Sequence, residues 1–328
     1  MFAAGASERE ENGLAKLKIH LAIEQYDRTL PLVTGWVAPE NIDLKVEVVS
    51  FAQGRHQRML DDYEFDACEL SLSSYLMARA RKAPLTAIPV FPRRLFSQSQ
   101  MFVNVRAGIK SPQDLIGKRV GLISYQTTLS VLAKGDLAHE YGIPLEEVTW
   151  VTSTDEPVGF DAPEGIRIEK IPAGKDIDVM LTDGEIQALM VPRTPEPFVR
   201  KDPRVARLFL DAKAEEKAYF RRNGFYPIMH VVALKEQVAR GNPWVAGELL
   251  DLFERAKQFC YRSYADPNWS HLAWGRHLFE EERAIFGEDP WPSGLVANQA
   301  NLERFIQYSH DQELIADTIP AASLFVAT

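Results

Sequence analysis

Only two cysteines, Cys68 and Cys260, occur in the 328 residues. They fall in segments read as a strand and a buried helix face, so reduced core thiols are expected rather than a disulfide framework. No apolar run approaches the ~18 residues of a membrane span. The N-terminus carries Glu8-Arg9-Glu10-Glu11 where a secretory signal would need an apolar stretch, so a cytoplasmic location is expected. Cationic excess is missing too. A net charge of −9 and a pI near 5.4 argue against nucleic acid as a partner, and any anion site must be a local cationic patch on an acidic background. The chain has no G-x-x-x-x-G-K followed by Ser or Thr, no G-x-G-x-x-G after its first strand and no G-x-S-x-G elbow. ATP hydrolysis, dinucleotide redox chemistry and α/β-hydrolase acyl transfer are thereby disfavoured. His271 and His277 flank Trp274 without a zinc-ligand spacing, so no metal site is expected and nothing demands a cofactor.

What is present is a repeating strand–helix pattern. Residues 1–16 read as a disordered leader. Leu17, Ile19, Leu21 and Ile23 alternate with more polar residues, as do Leu44, Val46 and Val48, which is strand periodicity. Gly54 to Tyr63 reads as a helix, Phe65 to Leu70 as a strand, Ser71 to Lys82 as a helix and Leu85 to Phe91 as a strand. Further on, Leu129, Leu132, Ala133, Leu137 and Tyr141 share a helix face that Gly142 terminates. Val245 to Cys260 forms a long amphipathic helix, and a last helix is expected near Asn298 to His310. Strands separated by helices suggest parallel α/β architecture with functional loops at the strand C-termini.

The strand and turn from Phe102 to Ile123, with the polar helix start at Tyr125-Gln126-Thr127-Thr128, resemble the passage into the second lobe of a type II periplasmic-binding-protein fold. YPIMHVVAL (Tyr226 to Leu234) resembles the strand of return. This implies two α/β lobes joined by two crossings around a central cleft, with 17–101 and 227–328 in lobe 1 and 102–226 in lobe 2.

Several side chains would face such a cleft. Tyr26-Asp27-Arg28 and Glu69-Leu70-Ser71 lie at strand C-terminal ends in the first lobe, and Arg93, Arg94, Ser97, Gln98 and Ser99 at the first crossing. Thr127 and Thr128 sit at a helix start, where free N–H groups and the helix dipole favour an anion, and Tyr125 stands beside them. Arg193 follows an apolar strand. Arginine matches a carboxylate bidentately, so Arg28, Arg94 and Arg193 are the expected anchors for an aromatic carboxylate. His230 stands among apolar residues at the hinge, where an imidazole titrating near neutrality could move a proton.

Together YDRTLPL (Tyr26 to Leu32), FDACELSLSSYLMARA (Phe65 to Ala80), IPVFPRRLF (Ile88 to Phe96), MFVNVRAGIKSPQDLIGKRVG (Met101 to Gly121), YPIMHVVAL and DPWPSGL (Asp289 to Leu295) resemble the 4,5-dihydroxyphthalate decarboxylase family. The resemblance implies a cofactor-independent decarboxylase acting on a small hydroxylated aromatic carboxylate, in a soluble protein that could form homo-oligomers. In such an enzyme His230 would be the acid, Glu69 or Asp27 the phenol partner, and Tyr26, Ser71, Ser97, Gln98, Tyr125, Thr127 and Thr128 would join the arginines around the substrate. The chain departs from the family pattern at Ser97-Gln98, where an Arg-His pair is expected, so a change in charge recognition or proton transfer is anticipated there. Two other readings fit the fold. One is a non-catalytic binding protein for an aromatic or sulfonated anion. The other is an enzyme on a futalosine-type substrate, which would require more aromatic stacking at the cleft.

Overall fold

The computed structural model describes residues 15–50 and 52–327. The expected leader lies outside the described residues except for Ala15 and Lys16, which are exposed. The chain begins with β1 (Leu17–Ile23), α1 (Leu30–Val33), β2 (Ile42–Val48), α2 (Ala52–Asp61), β3 (Ala67–Ser71), α3 (Leu72–Ala80) and β4 (Leu85–Ile88). It continues through β5 (Met101–Asn104), β6 (Arg119–Leu122), α4 (Thr128–Tyr141), β7 (Thr149–Thr152), β8 (Arg167–Lys170), α5 (Ile177–Asp183), β9 (Ala188–Met190), α6 (Glu196–Val199), β10 (Val205–Arg207) and α7 (Ala212–Asn223). The last part holds β11 (His230–Lys235), α8 (Glu236–Gly241), α9 (Val245–Ser263), α10 (Gly275–Phe286) and α11 (Leu295–Asp311).

The strands form two sheets, ordered β2-β1-β3-β11-β4 and β10-β5-β9-β6-β7-β8. The chain passes from one to the other between β4 and β5 and returns between β10 and β11. This is the mixed α/β fold with two sheets and two crossings that the resemblance to a type II periplasmic-binding-protein fold implies. The sheets are not parallel throughout, however. β1 runs parallel to β2 and β3, whereas β11 is antiparallel to β3 and β4, and β5 is antiparallel to β9 and β10. The strands that follow a crossing arrive from the other sheet. No crossover helix on their own sheet forces them parallel.

α4 is buried through its first ten residues, Thr128 to Leu137, including Lys134 and Asp136. It carries no single apolar stripe because neighbours cover more than one side: the second sheet, α3 and α11. Gly142 ends it in the left-handed region at φ +67°, a conformation glycine adopts without strain. With lobe boundaries proposed at 101/102 and 226/227, α11 belongs by sequence to the first lobe but packs on α4 of the second. A Cβ at Gly135 would fall within the Tyr308 ring, so this glycine is what lets α11 lie so close. Gln312 donates to the Val131 carbonyl at 2.8 Å beside it. Tyr75 and Leu76 of α3 share one apolar cluster with Leu129 and Leu132 of α4, so the core is continuous beneath the crossings. Cys68 and Cys260 are buried free thiols. Among the described residues no helix is long and apolar enough to cross a membrane.

Candidate active site

A pocket of about 670 Å³ opens where the C-terminal end of β3, the start of β11 and the start of α4 converge. His56, Ser71, Ser74, Arg93, Ser124, Thr127, Thr128 and His230 supply its polar groups. Ile123, Leu129, Pro157, Pro192 and Met229 supply apolar walls. Two helices begin here. Ser71 caps α3, its Oγ accepting from the Ser74 N–H at 3.4 Å, and Thr127 stands at the N-cap of α4. Thr128 Oγ1 lies 2.8 Å from Ser71 Oγ and accepts from the Ser73 N–H at 3.2 Å, tying the two helix starts together. Both helices direct their positive ends toward the pocket, which favours an anion there. Arg93 adds a full charge and also spans the cleft, donating to the Pro192 carbonyl at 2.8 Å.

Behind the pocket lies a buried charge network centred on Glu69, which is fully inaccessible. Strand alternation alone would aim this residue into the interior, and its surroundings make the charge tolerable. His230 Nδ1 is 2.5 Å from Glu69 Oε1. The Tyr26 hydroxyl donates to the same oxygen at 2.9 Å, and the Glu24 N–H donates to Oε2 at 2.9 Å. Arg55, also fully buried, pairs with Oε1 at 3.5 Å and donates through Nε to the Glu69 carbonyl at 3.0 Å. Burial opposes the Glu69 charge, but the His230 hydrogen bond and the Arg55 guanidinium outweigh it and hold the carboxyl well below its usual range. His230 responds to the same burial in the opposite sense, its pKa falling below the ordinary imidazole value despite the pull of Glu69. Burial, reinforced by Glu69, raises the Tyr26 phenol. Because Nδ1 is committed to Glu69, Nε2 is the ring nitrogen left for a ligand in the cleft.

The structure brings together only part of the expected site. His230, Ser71, Thr127 and Thr128 line the pocket, with Tyr26 and Glu69 directly behind them. Glu69 is fully enclosed behind the pocket and meets His230 Nδ1 rather than the open cleft. Asp27 is turned away, bonded to the Arg28 N–H and to the Tyr264 hydroxyl. Arg28 is held at the Pro92 carbonyl at 2.6 Å, with its guanidinium 4.1 Å from the Tyr26 and Trp291 ring centroids. Arg94 is buried, donating to the Tyr226 and Pro292 carbonyls at 2.7 and 2.8 Å and to Asn298 Oδ1 at 2.5 Å. Arg193 makes a bidentate pair with Asp178 at 2.7 and 2.8 Å on the second sheet's flank. None of the three expected arginine anchors lines the pocket, because each has a nearer partner within the scaffold. Tyr125 is also buried, stacked on Phe160 with Lys134 Nζ over its ring. Ser97 donates to buried Asp136 at 2.5 Å and Gln98 is enclosed next to it, so the family departure sits off the pocket and not in its charge recognition.

Arg55 and His56 were not anticipated, and Arg93, expected at the first crossing, was not among the expected anchors. The signal for the first two lay in α2, where Arg55 and His56 precede Met59 at helical spacing and share its inward face. Arg93 adjoins Arg94, the expected anchor. In extended backbone, neighbours face opposite sides, and nothing local says which side is the cleft.

Residues 34–159 match the family described as NMT1/THI5 like. The chain is 32% identical over 321 residues to 4,5-dihydroxyphthalate decarboxylase of Comamonas testosteroni, covering 95% of this chain and 97% of that protein. It is 32% identical over 225 residues to the Pseudomonas putida protein of the same name, covering 65% and 85% respectively. Among solved structures it is similar to the alkanesulfonate-binding protein SsuA from Xanthomonas axonopodis pv. citri bound to MOPS. That match has a TM-score of 0.55 at 12% identity over 95% of this chain and 98% of that one. It is also similar to the desulfurization enzyme DSZB, with a TM-score of 0.54 at 13% identity over 94% and 96% of the two chains. These likenesses show the fold.

Proposed function

The chain belongs to the 4,5-dihydroxyphthalate decarboxylase family, and from that premise we propose that it decarboxylates a hydroxylated aromatic carboxylate at the His230 pocket. The observation that carries the reading is the buried Glu69–His230 pair, 2.5 Å apart, at the floor of an anion-favouring cleft. Direct loss of CO2 from an arene would leave a carbanion in the ring plane, out of conjugation with the π system. A ring hydroxyl ortho or para to the carboxylate offers a lower route: its oxygen pushes electrons into the ring, the ipso carbon takes a proton, and CO2 leaves as aromaticity returns.

His230 is suited to supply that proton from Nε2. Glu69 holds Nδ1–H, fixes the ring orientation and offsets the positive charge of the imidazolium, while Arg55 and Tyr26 keep Glu69 ionised and in place. Arg93 and the starts of α3 and α4 hold the substrate carboxylates. Ile123, Leu129, Met229 and Pro192 flank the ring. The Arg93–Pro192 and Ser71–Thr128 contacts bridge the cleft, so closure over a substrate would exclude water and strengthen every charge interaction inside.

Purified protein without added metal should release CO2 from 4,5-dihydroxyphthalate or a related dihydroxybenzoate. His230→Asn should lower kcat by ~10²–10⁴ with little change in Tm. Absence of turnover with every hydroxylated aromatic acid tried would overturn the proposal. The likeness to a MOPS-bound sulfonate-binding protein favours one second reading, a binding protein for an aromatic or sulfonated anion. Such a protein would return its ligand unchanged after incubation.

A further inference from the structure

His56 is the pocket's remaining titratable side chain, and nothing above uses it. It projects from α2 beside Arg55, is 6% exposed, and meets the His230 ring edge-to-face with 5.2 Å between centroids. Its Nε2 is buried and has no hydrogen-bond partner among the described residues. A buried polar atom left unpaired is unfavourable. A packed structural histidine would ordinarily spend that nitrogen on a carbonyl or carboxylate. Here the ring borders the same cavity as the proposed proton donor and Arg93.

We infer that His56 is a second catalytic residue, which recognises the substrate's ring hydroxyl and takes its proton as His230 delivers its own to the ring. The inference rests on the decarboxylase reading of the cleft. The groups acting on His56 are His230, Arg55 and Arg93, which oppose its charge, and the Glu69 carboxylate, which favours it. Burial first, then these cations, hold its pKa well below the usual imidazole value, so it meets a substrate as a neutral acceptor.

The proton count closes. The hydroxyl O–H bond breaks toward His56 as the ipso C–H bond forms from His230, giving a dienone-like intermediate that still carries its carboxylate. His230 is now neutral, so the repulsion that disfavoured charge on His56 falls at the moment His56 takes it up. The ring–carboxylate C–C bond then breaks, and its electron pair returns through the ring to the oxygen. That oxygen recovers its proton from His56. CO2 departs, and His230 regains one proton from solvent, the single proton that the overall reaction consumes.

The test measures affinity apart from turnover. Phthalate and 4,5-dihydroxyphthalate are titrated calorimetrically into wild type at position 56, His56→Phe and His56→Gln, each carrying His230→Asn so that the ligand is not consumed, with kcat and Tm from the same forms with His230 intact. Wild type should bind the hydroxylated acid at least tenfold more tightly. His56→Phe should erase that ratio and leave phthalate affinity unchanged. His56→Gln, which keeps a hydrogen-bonding group but cannot carry the proton, should keep most of the ratio and lose at least tenfold in kcat at unchanged Tm. A wild type without preference, a His56→Phe that retains it, or a His56→Gln with full kcat would each overturn the inference. A wild type that prefers the hydroxylated acid but never turns it over would instead overturn the decarboxylase reading, and the affinity ratios would still decide whether His56 reads the hydroxyl.

Discussion

Two buried carboxylates, Glu69 behind the cleft and Asp136 on α4 below the first crossing, are equally shut off from solvent yet titrate in opposite directions. Glu69 faces Arg55 and His230, and burial fails to neutralise it. Asp136 has hydroxyl partners, Ser97 at 2.5 Å and Tyr308 at 3.1 Å. Burial therefore dominates, and its carboxyl is pushed up to about 7. The lesson is that depth alone does not make a group functional; the charges arranged around it decide whether it stays ionised. Arg93 and Arg94 repeat the contrast. The first lines the pocket, whereas the second is spent on backbone carbonyls, and burial lowers it to about 10.

Replacing Glu69 with Gln should have the largest effect. It leaves buried Arg55 with only the more distant Glu24 carboxylate, at 3.9 Å, as counter-charge, at a cost of about 3–5 kcal/mol. It also removes the partner of His230, lowering kcat by ~10²–10⁴. A stable, active Glu69→Gln protein would break the distinction between the two carboxylates. Arg94→Ala comes next. Leaving its buried acceptors unpaired should cost about 2–4 kcal/mol in chemical denaturation, with KM of the folded fraction unchanged. Arg93→Ala should do the reverse, raising KM ten- to a hundredfold through a charge-assisted contact of about 1.5–3 kcal/mol while Tm barely moves. If the two substitutions gave the same profile, the assignment of one arginine to the cleft and the other to the scaffold would fail.

The smallest effect is a pH slope. The Asp136 carboxyl lies higher in the fold, at about 7, than its ordinary 3.8. Its stabilising contribution is thus full below the ordinary value and is lost as pH rises through about 7. Glu69 runs the other way: its contribution is present above the ordinary glutamate value and lost on acidification. Asp136→Asn should therefore flatten the decline in Tm between about pH 4 and pH 7. An unchanged slope would mean that Asp136 does not titrate in that range. Catalysis should follow its own profile, with kcat/KM falling as pH rises through a His230 value below 6.5, because only the imidazolium donates.

Much of this molecule was legible in one dimension. Apolar alternation placed β1 and β2, helical periodicity placed α4 and α9, and Gly142 marked the end of α4, because these signals depend on backbone geometry within a few residues. The helix start at Thr127 and Thr128 stood out for the same local reasons, whereas His230 stood out through its place at the hinge that the fold resemblance implies. The anchors did not. Arg28, Arg94 and Arg193 carry the right chemistry, but each is satisfied by a partner elsewhere in the chain: Pro92, 64 residues from Arg28, Asn298, 204 from Arg94, and Asp178, 15 from Arg193. Arg55 and His56 reach the site only because α2 packs against β3. The sequence by itself determined which segments become strands and helices and which residues have the chemistry for an anion and a proton. Only the tertiary structure decided which arginine remains available to a ligand, because a charged group goes to its best-placed partner and those partners are chosen by packing rather than by order along the chain.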